Sequence, residues 1–200
     1  MTPDYWKQAT REIAARDAVL KQLTAKFKGL ALGSRGDAFA TLARAIVGQQ
    51  ISVKGATTVM GKILHEFGET ADGVLLFPGP ESLARLTPER LPMPRSRAVA
   101  IAEVARAVAT GEVALATQDS ATLVTQLMRI KGIGEWTAQY VAMRAINDPD
   151  AFLHTDLVLR RVADHRLALA TDTALLARAE AWRPWRAYAG MYLWSLASQD

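Results

Sequence analysis

The chain contains no cysteine. Disulfides, thiolate zinc sites, iron–sulfur clusters and cysteine nucleophiles are therefore excluded. Histidine is also scarce: His65, His154 and His165 stand apart, without metal-ligand spacing. No run of about 18 uncharged apolar residues exists, so no membrane span is expected. The start, MTPDYWKQATREIAARD, is charged throughout and lacks the apolar core of a secretory signal. The expected location is the cytoplasm. There is no low-complexity segment, no fixed-period repeat and no convincing strand pattern. Half the 200 residues are hydrophobic, which argues against disorder and suffices for one or two compact units. Lys and Arg total 24 against 20 Asp and Glu, a net charge of +4 and a mild tilt toward polyanions.

Helical periodicity fills most of the remainder. Thr10–Phe27 spaces Ile13, Val19, Leu20, Leu23 and Phe27 for one helix, and the glycines of Gly29–Gly36 break it. Asp37 caps the next helix, Asp37–Gln50, and Ser52 caps the one after. Leu75–Ser96 holds five of the eight prolines and reads as short helical turns joined by stiff corners. Helices are expected at Arg97–Thr110, at Asp119–Arg129 (capped by Asp119 or Ser120), at Trp136–Ile146 and at Asp156–Ala168. Two more follow, hinged near Pro184. The expected fold class is all-α.

The segment RIKGIGEWTAQYVAMRA, Arg129–Ala145, joins two of these helices by a tight turn. Gly132 and Gly134 are expected to supply positive φ and a close approach for another chain. The second helix starts here, so its unsatisfied N–H groups and partial positive charge suit a phosphate. Lys131 adds a cation, and Ile130 and Ile133 can plug inward. A plain αα-hairpin with a glycine turn explains the two glycines equally well.

The full string, apolar–Lys–Gly–Ile–Gly–x–Trp–Thr–Ala, resembles the helix-hairpin-helix element of DNA-repair proteins. AFLHTDLVLRRV (Ala151–Val162), RAIVGQQISVKGA (Arg44–Ala56), MPRSRAVAIAEVA (Met93–Ala105) and AEAWRPWRAYAGMYLW (Ala179–Trp194) resemble further segments of the helix-hairpin-helix base-excision DNA glycosylases, in order. The resemblance spans roughly Asp37 to Trp194 and implies two helical subdomains with a DNA-binding cleft between them. Residues 37–146 would form the central one, ending in the hairpin, and 1–36 with 147–200 the other. The extra N-terminal α+β domain of the longest members is not expected.

It also implies a division of labour. Asp156 would be the catalyst, although an Asp before a helix is commonly only a cap. Gln49, Gln50 and Ile51 would form the loop that enters the DNA stack, with Gln50 as the wedge. Arg95, Arg97, Lys131, Gly132, Gly134 and Thr137 would contact DNA. Trp136 and Tyr140, at i and i+4 on one face, would wall a base pocket with Trp194. Such rings favour cationic, alkylated bases by about 0.5–2 kcal/mol each. Bifunctional relatives carry Lys where this chain has Trp136, so base release without strand cleavage is expected. The backbone carbonyls of Met128, Ile130 and Ile133 would hold a monovalent cation, Na+ or K+; no other cofactor is required. The expected partner is double-stranded DNA with damaged bases, met by a monomer at the nucleoid. His154 departs from the Pro frequent before the family's Asp. Three other readings stay open: a non-catalytic helix-hairpin-helix DNA-binding module, a helical protein-interaction scaffold, and a glycosylase for deaminated or mismatched bases.

Overall fold

The computed structural model describes residues 3–30, 32–33, 37–117 and 119–197. The sequence break expected at 29–36 lies partly outside them. The chain divides into two compact units, Met1–Ser34 with Asn147–Asp200, and Arg35–Ile146.

The first unit is helical. α1 (Pro3–Arg16) and α2 (Ala18–Lys26) replace the single helix expected over 10–27. The break comes from Asp17, whose Oδ1 accepts from the N–H groups of Val19 (2.9 Å) and Leu20 (3.2 Å). Its other oxygen accepts from Arg178 Nε and Nη2 and from the Trp182 indole N–H, at 2.9–3.0 Å. A long-range ion pair at a buried site thus overrides helical periodicity. This unit also holds α9 (Leu157–Leu167), α10 (Asp172–Ala179), a 3-10 turn (Glu180–Trp182) and α11 (Arg186–Ala197). α11 packs on α1, α2 and α9. Trp182, Tyr188 and Tyr192 are fully buried, and Phe152 meets Trp182 edge-on at 5.9 Å.

The second unit contains α3 (Ala38–Val47), α4 (Val53–Phe67), α5 (Pro80–Ala84), α6 (Arg95–Ala109), α7 (Ser120–Met128) and α8 (Glu135–Arg144). Its core joins Leu42, Ile46, Ile63, Leu83, Ile101, Leu123, Leu127 and Val141. Asp37, Ser52 and Asp119 are N-caps, accepting from Ala40, Gly55 and Thr122 N–H respectively. α3 stops three residues short of Gln50, and residues 48–50 form a turn.

One correction concerns strands. β1 (Glu69–Ala71) and β2 (Val74–Leu76) form an antiparallel hairpin, with Ala71 opposite Val74. Asp72 (φ 50°) and Gly73 (φ 76°) make its two-residue turn, as Asp-Gly does in type I′ hairpins. Both strands are exposed and three residues long, so no alternating burial marks them in the sequence.

Candidate active site and nucleic-acid interface

In the first unit, Asp156 is the N-cap of α9. Its Oδ1 accepts from the N–H groups of Val158 (3.0 Å) and Leu159 (2.9 Å). A third donor is the indole N–H of Trp194 on α11, at 2.9 Å. The approach to Asp156 is anchored by Ala151, Phe152 and Leu153, all buried. Asp156 N–H closes the turn onto the Leu153 carbonyl at 2.9 Å. Helix start, anchored loop and a ring from another helix together fix this half-buried carboxylate. The sequence marked Trp194 only as a ring; its N–H contact with a residue 38 positions away has no local signal.

In the second unit, α7, a tight turn and α8 form the expected hairpin. Gly132 has φ +93°, and a Cβ there would meet the Ala100 Cβ at 3.0 Å. Gly134, against expectation, is extended (φ −92°, ψ 173°) as the N-cap of α8, with open space where a Cβ would go. It ends the turn without needing a left-handed backbone. Ile133 is buried and Ile130 partly so, while Lys131 is exposed. The Ile130 carbonyl accepts from Ile133 N–H at 3.0 Å, and its second lone pair suits a hard cation.

Trp136 and Tyr140 stack, with centroids 5.2 Å apart and planes 16° from parallel. They border a hollow of about 250 Å³ completed by Arg44, Ala45, Gly48, Ile51, Val53 and Ala56. Arg44 on α3 was not foreseen as a lining residue. A larger hollow, about 860 Å³, lies in the first unit beside Arg161, His165 and Arg166, and Asp156 is not among its lining residues.

The profile of the HhH-GPD superfamily base excision DNA repair proteins matches residues 43–187. The chain belongs to this superfamily. Among its relatives, the probable bifunctional transcriptional activator/DNA repair enzyme AlkA of Mycobacterium tuberculosis is 34% identical over 194 residues. That match covers 94% of this chain and 39% of the relative. DNA-3-methyladenine glycosylase 2 of Escherichia coli is 33% identical over 185 residues, 89% of this chain and 64% of the relative. The chain thus spans only part of these relatives' length. The crystal structure of DNA-3-methyladenine glycosidase from Bacillus halodurans matches with a TM-score of 0.79 at 26% identity, over 94% of this chain and 88% of that one.

The HhH-GPD match takes in Gln49–Ile51, the hairpin and Asp156, and stops short of Trp194. Within it the structure separates the remaining candidates. Gln50 is exposed at the turn after α3 with φ 58°, and Ile51 follows, also exposed. Gln49 instead donates its side-chain amide to the Gly132 carbonyl (3.1 Å) and Thr137 Oγ1 (3.2 Å). Thr137 is buried. Arg97 donates Nη1 to the carbonyls of Val47 (2.9 Å) and Gln49 (3.2 Å). These three side chains are engaged within the protein. Arg95 opens α6, exposed and paired with Glu89.

Proposed function

We propose that this HhH-GPD chain is a monofunctional DNA glycosylase. It hydrolyses the N-glycosidic bond of alkylated, cationic bases of the 3-methyladenine type in duplex DNA, as a step of base excision repair. The observation that carries the reading is the Asp156 carboxylate, held on one oxygen by three N–H donors.

The target base lies inside the duplex and must be swung out. The first-turn amides of α8, with Lys131 beside them, grip backbone phosphate. Gln50 enters the vacated stack. The Trp136–Tyr140 rings receive the base, and their electron-rich faces prefer a cationic one. The C1′–N bond breaks with its electron pair leaving on the base, which departs neutral. Asp156 stabilises the sugar cation so formed and accepts a proton from the water that attacks C1′. A cationic leaving group removes the need for the second, acidic carboxyl of most glycoside hydrolases. With Trp136 in place of a lysine, no Schiff base forms and the abasic strand stays intact. A Na+ or K+ on the carbonyls of Met128, Ile130 and Ile133 would brace the hairpin without entering the chemistry.

The test is release of free base from duplexes carrying 3-methyladenine, 7-methylguanine, hypoxanthine or uracil. Methylated purines are expected to be released, with strand breaks only after alkali. Preferential release of hypoxanthine or uracil would shift the reading to deaminated bases. Salt-sensitive binding without release of any base would leave a DNA-binding module.

A further inference from the structure

We infer that Gln49 is a positioning residue that locks the stack-entering turn to the phosphate-gripping hairpin. The inference rests on the glycosylase reading above. Gln49 and Gln50 are neighbours with different tasks: one side chain is hydrogen-bonded to the hairpin and the other is presented to solvent.

The Gln49 amide nitrogen reaches the Gly132 carbonyl and the Thr137 hydroxyl, at the turn of the hairpin and the first turn of α8. A carbonyl only accepts, so the NH2 end must face Gly132. Arg97 of α6 holds the same turn from its backbone side, through the carbonyls of Val47 and Gln49. α6 also supplies Ala100, against which Gly132 sits too closely for an ordinary side chain. Turn, helix and hairpin thus brace one another within one unit. Gln50, next in the chain, has a left-handed backbone, strained for a residue with a Cβ. Such a conformation persists where surrounding contacts dictate it. The amide of Gln49 therefore fixes the spacing between the grip on phosphate and the tip that separates bases. Gripping the backbone then delivers the tip in register, and no separate closure of the turn is needed.

Gln49→Met keeps the size of the side chain, removes the donor to the Gly132 carbonyl and adds no charge. The full chain would be tested with a methylated duplex bearing 2-aminopurine beside the lesion. Three quantities are measured: affinity for undamaged duplex, unstacking by fluorescence, and single-turnover base release. Gln49→Met is expected to slow unstacking and release by about tenfold, the scale of two lost side-chain hydrogen bonds, with duplex affinity changed less than twofold because no charge is added beside the phosphate grip. Thr137→Val should act the same way in part, and Thr137→Ser should restore the rate. Gln49→Met combined with Gln50→Ala should be no slower than Gln50→Ala alone. Independent, multiplying effects would overturn the inference, as would a loss confined to affinity or unstacking at the wild-type rate. If the unaltered chain releases no base, the glycosylase reading falls, and the fluorescence arm still decides whether Gln49 acts through Gln50.

Discussion

Replacing Asp156 by Asn removes one charge and little else. Oδ1 stays an acceptor, so the N–H groups of Val158, Leu159 and Trp194 keep their partner. The cap of α9 survives, and stability should change by less than about 1 kcal/mol. In the proposed mechanism, what vanishes is attraction between a carboxylate and the positive sugar. At about 4 Å and an effective dielectric near 20, that attraction is roughly 4 kcal/mol. At about 1.4 kcal/mol per factor of ten, release should slow on the order of a thousandfold. The assay is single-turnover release from a methylated duplex with enzyme in excess, beside melting temperature and duplex affinity. Asp156→Ala is the contrasting variant: it loses charge and cap together, and should add roughly 1 kcal/mol of destabilisation to a similar rate loss. An Asn variant releasing base within tenfold of wild type, with its fold intact, would refute an electrostatic role. Equal melting temperatures for Asn and Ala would refute the cap.

Asp17→Ala should cost about 3 kcal/mol, because the buried Trp182 N–H and the start of α2 lose their acceptor, lowering Tm by roughly 6–12 °C in a thermal melt. Burial, reinforced by Tyr192 and Tyr5, pushes the Tyr188 hydroxyl up to about 12 from 10. The folded state thus holds this proton more tightly, and the stability gained is complete below pH 10 and lost as pH rises toward 12. Tyr188→Phe should flatten the denaturation midpoint across that window, and an unchanged slope would discount Tyr188. Gly132→Ala should destabilise by about 1–2 kcal/mol and weaken duplex binding, since the position is left-handed and tight against Ala100. Gly134→Ala, extended and open, should leave chemical-denaturation stability within about 0.5 kcal/mol.

The hairpin was legible because its determinants are contiguous: a glycine turn, plugging isoleucines and an aromatic pair one helical turn apart. The caps at Asp37, Ser52 and Asp119 were readable for the same reason, since each reaches a backbone amide three residues on. The Asp-Gly turn was equally local, yet its two exposed strands lack the alternation that would draw attention to it. Asp17 reads as one more polar position in a helix until Arg178 and Trp182 arrive from more than 160 residues away.

By itself the sequence determined the helical class, the glycine turn, the position of the aromatic pair and Asp156 at a helix start, because periodicity and caps act within a few residues. Tertiary structure alone decided which polar side chains face outward. Gln49, Arg97 and Thr137 look like surface contacts in the chain and are hydrogen-bonded within the fold, while Trp194 brings an N–H to Asp156. Each depends on partners 38 to 88 residues distant, and hydrogen bonds across such gaps leave no periodic trace in a sequence.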